Sequence, residues 1–190
     1  MKKVMIIGCP GAGKSTFSLK LKEITGLPLY HLDQLNWLAD KTTVAREVFQ
    51  ARQEEVLRQE EWIIDGNYRG TYELRMAACD TILFLDYPEG VCVEGLYSRV
   101  GKPRVDMAWI EMTVDEKLLE FVKNFRTQVR PNIFNLLSVY KDKEIYIFSS
   151  RKEANDFLEQ LKHTKISSEE ISDGRKYSLL FLYDKVEVSC

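Results

Sequence analysis

A chain of 190 residues with 45% apolar side chains has the material for one compact domain with its own core. Its 27 basic and 29 acidic residues leave a net charge of −2, so there is no global electrostatic footprint for nucleic acid, and only a local basic patch is allowed. The four cysteines, Cys9, Cys79, Cys92 and Cys190, form no CxxC and have no histidine at metal-ligand spacing; they read as reduced thiols of a cytoplasmic protein.

The opening "MKKVMII" has the charge of an export signal, but its apolar run, Val4 to Ile7, is short. Secretory signals need roughly 7–15 apolar residues and a membrane span about 20. The stretch is expected to be a strand, with no membrane partner and a cytoplasmic location. Next comes "GCPGAGKST", Gly8 to Thr16, then a helix through "STFSLKLKEI" that stops at Gly26. "LPLYHLD" offers a second short strand. "VAREVFQARQEEVLRQ" places Ala45, Val48, Phe49, Val56 and Leu57 on one helical face. "WIIDG" and "TILFLD" read as buried strands, separated by the helix-like "YELRMAA". "PEGVCVEGLYSRV" opens a helix with Pro88.

Residues 101–112 show no period. Thr113-Val-Asp-Glu116 has the pattern of a capping box and opens a helix to Arg130, where Pro131 kinks or restarts it. "EIYIF" is the fifth strand, and Ser150-Arg-Lys-Glu153 is a second capping box opening "EANDFLEQL". Five strands alternating with helices predict an α/β fold: a five-stranded parallel sheet, right-handed crossovers, and helices on both faces. That domain is expected to span residues 1–163. Residues 164–190 read as an extension, either a hairpin turning at Asp173-Gly174 or a flexible tail.

The chemistry starts at Gly8-x-x-x-x-Gly13-Lys14-Ser15, a complete Walker A motif between an apolar strand and a helix. Glycines let the backbone of Gly8, Pro10, Gly11, Ala12 and Gly13 curl so that N–H groups face phosphate oxygens, and the helix start at Ser15 and Thr16 adds partial positive charge. Lys14 is placed to bridge β- and γ-phosphates, and the Ser15 hydroxyl to ligate Mg²⁺. The motif predicts a P-loop fold that binds a nucleoside triphosphate, with ATP and Mg²⁺ as cofactors.

In an open parallel sheet, ligands sit at the carboxyl ends of the strands. Asp33 and Asp65 both fall at predicted strand ends there. One can orient Mg²⁺ through water; the other can accept a proton from, or hold, an acceptor hydroxyl. Asp86 also ends a strand, but Tyr87-Pro88 opens a helix behind it, so it reads as an N-cap. Trp37 and Tyr68 fall near the acceptor site, where aromatics after a strand either pack in the core or rim or stack on a base. His31 is expected to hydrogen-bond a neighbour rather than catalyse, and His163 to be exposed. "SRVGKPRVDM" reads as a short basic lid, about residues 100–112, that swings over phosphates and excludes water. Arg99, Lys102 and Arg104 are its candidate cations. No cysteines flank it, which excludes a zinc-clasped lid.

The loop and "WIIDGNYRG" resemble the small P-loop kinases related to adenylate kinase, whose third strand ends in Asp-Gly-Phe-Pro-Arg. Here Asp65-Gly66-Asn67-Tyr68-Arg69 matches at Asp, Gly and Arg. More closely, "HLD" at 31–33, Trp37, "WIIDGNY" and "GKPRVDM" resemble the topology-modulation-protein subgroup over residues 3 to 162. The resemblance implies that Asp65 holds a Mg²⁺-bound water and that Arg69 grips the acceptor. Arg104-Val105-Asp106 reproduces three of the four positions of the family's lid motif, and Arg126 and Arg130, on one helix face, stand for its second arginine. It implies an ATP-dependent phosphotransferase acting on a small acceptor, plausibly a nucleotide or nucleoside, held between Asp33, Asp65, Gly66 and Arg69. A nucleotide-dependent regulator of DNA topology is the rival reading. A GTPase or ATPase switch would want a guanine motif or a strand ending in Asp-Glu, and the sequence has neither.

Overall fold

The computed structural model describes residues 1–171, with side chains to residue 164. In chain order the elements are β1 (Lys3–Gly8), α1 (Lys14–Thr25), β2 (Leu29–His31), α2 (Leu32–Asn36), α3 (Arg46–Leu57), β3 (Trp62–Asp65), α4 (Tyr72–Ala78), β4 (Thr81–Leu85), α5 (Glu89–Ser98), α6 (Glu116–Gln128), α7 (Arg130–Val139), β5 (Glu144–Phe148) and α8 (Arg151–Ile171). A 3-10 turn, Arg69–Thr71, leads into α4. The strands form one parallel sheet in the order β2-β3-β1-β4-β5. Val4, Met5, Ile6 and Ile7 at its centre are all 0% exposed, so both faces of the sheet are covered, as parallel pairing demands.

The register sets the site. His31 and Asp65 are paired across β2 and β3, Ile6 lies opposite Asp65, and Gly8 lies opposite Leu85. The carboxyl ends of four strands therefore share one edge with the glycine loop. α1 ends at Gly26 in the left-handed region, as the glycine stop predicts.

Several local expectations are corrected. Thr113 does not cap α6; Asp115 does, accepting from the Leu118 amide at 2.8 Å. A carboxylate two residues later starts the helix at Glu116 and satisfies one of its own orphan donors. At α8 half of the second box forms: Ser150 Oγ accepts from the Glu153 amide at 3.2 Å, while the Glu153 carboxylate accepts from the Ser149 amide at 2.8 Å. Val48 of α3 is 43% exposed, and Ala45 precedes that helix; Phe49, Gln53, Val56 and Leu57 make its buried face. α8 continues past residue 163 to Ile171, while the hairpin expected at Asp173-Gly174 lies outside the described residues, as does Cys190. No helix among the described residues is long and apolar enough to cross a membrane.

Gly11 has φ +83°, and a Cβ built on it would lie 2.0 Å from the Cys92 carbonyl oxygen of α5. Backbone meets backbone there, and Gly95 faces the Gly11 carbonyl equally closely. Gly11→Ala is expected to cost about 3 kcal/mol, from left-handed strain plus overpacking. A urea midpoint within about 1 kcal/mol of the parent, read with its slope, would refute this.

Candidate functional site

The strand ends, the glycine loop and residues 99–113 enclose a cleft of about 1390 Å³. Lys14 Nζ curls back over its own loop, donating to the carbonyls of Gly8 (3.0 Å) and Cys9 (3.3 Å). An ammonium has three donors, so one is left for a ligand. Pro10, Ala12 and Thr16 line the same cleft with Gly11 and Gly13. Cys9 and Cys92 are buried thiols; the hydrogen bond between them, with burial, pushes the Cys9 thiol far up, while the same bond draws the Cys92 thiol below its ordinary value.

The lid lies over the loop. Ser15 Oγ donates to Asp106 Oδ2 at 2.7 Å, and Arg104 holds the same carboxylate through Nε (2.9 Å) and Nη2 (2.7 Å). Burial alone would raise the Asp106 carboxyl; the bonds and charge of Arg104, with Ser15, hold it below the usual range. Arg104 also reaches Glu111 at 3.2 Å and lies 3.8 Å from Asp33. Glu111 is shared with Arg99, whose Nε lies 2.7 Å away. Lys102 lines the cleft, and Gln34 donates from α2 to the Val105 carbonyl.

Asp33 is not at a strand end. The chain turns helical at Leu32, so Asp33 stands in the first turn of α2. Its Oδ1 accepts from the Tyr68 hydroxyl at 2.8 Å, and Asn36 donates to that hydroxyl at 3.2 Å. Burial raises the Asp33 carboxyl; the Tyr68 bond opposes this, and the charges of Asp106 and Asp65 add to it. Burial and the Asp33 charge in turn push the Tyr68 phenol up, so it stays a donor. Asp65 is 4% exposed, with His31 Nδ1 at 2.9 Å and Ser18 Oγ donating at 3.4 Å, both to Oδ2. His31 does bond a neighbour, but that neighbour is Asp65.

Trp37 meets Trp109 of the lid edge-on, ring centroids 5.5 Å apart. Tyr68 packs on Phe49 at 4.7 Å. Both Trp37 and Tyr68 line the cleft, as do Gly66 and Arg69; Arg69 is exposed, its guanidinium 6.0 Å from the Phe121 ring centre.

Arg126 and Arg130 stand elsewhere. The helix breaks at Val129, so they belong to α6 and α7 rather than to one face. Arg130 grips Asp86 through Nε at 2.8 Å from both carboxylate oxygens, and Arg126 lies 3.6 Å from it. Neither lines the cleft. Asp86 therefore is not the N-cap of α5, which follows Pro88 with no side-chain cap; 8% exposed, it takes arginine counter-ions instead. His163 is exposed.

Sequence reading missed Asn67, Glu111 and Trp109. Asn67 Oδ1 accepts from the Gly8 amide and the Tyr72 hydroxyl, both at 3.2 Å, tying the loop after β3 to the glycine loop. Its place between Gly66 and Tyr68 was the available signal. Glu111 and Trp109 sit in a segment without period, where no signal existed.

No protein-family model matches this chain, and no curated protein matches it. Among solved structures, a gluconokinase from Sinorhizobium meliloti 1021 superposes with a TM-score of 0.49 at 13% identity, covering 92% of this chain and 98% of that one.

Proposed function

We propose that this chain is a Mg·ATP-dependent phosphotransferase acting on a small molecule, with a nucleotide or nucleoside as the acceptor suggested by the family resemblance. The observation that carries the reading is the seating of Arg104 over the glycine loop, within one cleft that also holds Asp33 and Asp65. A loop that merely bound nucleotide would need no such lid.

Lys14 and the loop amides hold the donor phosphates, and Arg104 offsets charge on the group in flight. Asp33 and Tyr68 orient the acceptor, with Trp37, Gly66 and Arg69 around it. Ser15 and Asp65 are the groups that would hold Mg²⁺, Asp65 through water. Oxygen donors of this kind suit that ion, which keeps several waters and takes one or two protein oxygens plus phosphates. When bound, Mg²⁺ supplies charge neutralisation of the phosphates. Among the described residues no group of three or more His, Cys, Asp or Glu side chains is set to hold an ion alone, which suits a metal brought in with its nucleotide.

The test is ADP production from Mg·ATP across nucleosides, nucleoside monophosphates and small metabolites. Stimulation by one acceptor is expected, falling by at least ~10² in Lys14→Ala. A flat panel with only slow hydrolysis would favour the DNA-topology regulator.

A further inference from the structure

The acceptor side of the cleft is built from α2, the end of β3 and Trp37. Its innermost polar groups are His31, Asp33, Asp65, Asn67 and Tyr68, and none of them carries a fixed positive charge. The cations nearest to them are already engaged. Arg104 serves Asp106, Glu111 and Asp33, and Arg99 serves Glu111. Across that inner shell Asp33, Asp65, Asp106 and Glu111 face Lys14, Arg99 and Arg104, while Lys20, Lys41, Arg69, Lys102 and Arg151 line the cleft at exposed positions.

Resting on the phosphotransferase reading above, we propose that the reacting group of the acceptor is an alcohol hydroxyl and not a phosphate oxygen. Asp33 carries the assignment. Its Oδ1 is taken by the Tyr68 hydroxyl, while Oδ2 has only Arg104 at 3.8 Å, beyond hydrogen-bond reach. With its side chain one-third exposed, Asp33 leaves Oδ2 able to accept from an entering O–H. A phosphate dianion has no proton to give and meets like charge instead. Arg69, exposed at the rim, leaves room for an anionic group elsewhere on the acceptor.

The transfer balances as follows. The alcohol oxygen forms a bond to the γ-phosphorus, the bond from that phosphorus to the β–γ bridging oxygen breaks, and ADP leaves with the electron pair. The alcohol proton passes to Asp33 Oδ2 and from there to water. The product is a phosphate monoester; a phosphate acceptor would give an anhydride.

Two measurements test this on the full chain. In the first, ³¹P NMR of the products from polyols, nucleosides and nucleoside monophosphates should show a monoester; an anhydride overturns the proposal. In the second, which needs no known acceptor, a non-hydrolysable Mg·ATP analogue saturates the donor site and inorganic phosphate is titrated by calorimetry. Asp33→Asn is expected to bind phosphate at least ~10-fold more tightly than the parent. Equal affinity, weaker affinity or no binding by either protein overturns the role of Asp33. If the parent does not bind the analogue, the phosphotransferase reading itself fails, and the two failures are distinct.

Discussion

Arg104→Ala is expected to slow phosphoryl transfer from Mg·ATP by about 10³-fold. The reason is one of charge placement. The guanidinium is 16% exposed and stands among Asp106, Glu111 and Asp33 while reaching toward the loop through the Ser15–Asp106 contact. In a site shielded from water, a fixed cation aimed at developing charge acts far more strongly than in bulk solvent. Its loss also leaves Asp106 and Asp33 facing the phosphates without their shared counter-charge, while Glu111 keeps Arg99. The Kd for Mg·ADP should move much less, since Lys14 and the loop amides remain. Arg104→Lys should recover only part of the rate, because a point charge cannot reproduce the fork that spans Asp106 and Glu111. A kcat for Arg104→Ala within about tenfold of the parent would remove Arg104 from the transfer step.

The second large effect is on stability. Arg75 of α4 is 0% exposed, yet its acceptors are main-chain carbonyls: Gly66 at 2.8 Å, Asn67, Tyr68 at 3.2 Å and Thr71 at 3.3 Å. It stands 5.3 Å from the Tyr72 ring centre. Burial draws its pKa down to about 10, so it stays charged at neutral pH. One side chain thus satisfies the loop that carries Asn67 and Tyr68. Arg75→Met fills similar space but strands the buried Gly66 carbonyl and takes a donor from those of Asn67 and Thr71, while Tyr68 keeps the amide and hydroxyl of Thr71. The expected loss is about 3 kcal/mol or more, a large share of the ~5–15 kcal/mol that holds a domain together. Because Asn67 ties this loop to Gly8, nucleotide affinity should fall as well. Denaturant unfolding within about 1 kcal/mol of the parent would show that the loop keeps its shape without the guanidinium.

Arg75 also shows where sequence reading stops. "YELRMAA" has the marks of a short helix, and nothing in it says that its arginine turns inward. That depends on a loop several residues earlier whose carbonyls turn toward it. Asp33 teaches the same lesson from the other side. "LPLYHLD" reads as a strand ending in Asp, but the chain turns helical at Leu32. The residue still reaches the site, by a different backbone route, and bonds Tyr68. Arg126 and Arg130 lie on either side of Val129, outside the cleft, and a buried Asp86 claims both.

By itself the sequence determined the five strands, their parallel pairing, the glycine loop after the first strand, and Lys14, Ser15 and Asp65 at one sheet edge. Those features are local. Apolar runs, glycine positions and helix starts are written in neighbouring residues, and a parallel sheet follows from their alternation. Tertiary structure alone decided the pairings of charge: Arg104 with Asp106, Glu111 and Asp33; Arg130 with Asp86; His31 with Asp65. Long charged side chains have no periodicity to betray their direction. Which carboxylate each one meets depends on burial and on distances between segments far apart in the chain, and those exist only once the sheet has formed and the lid lies across it.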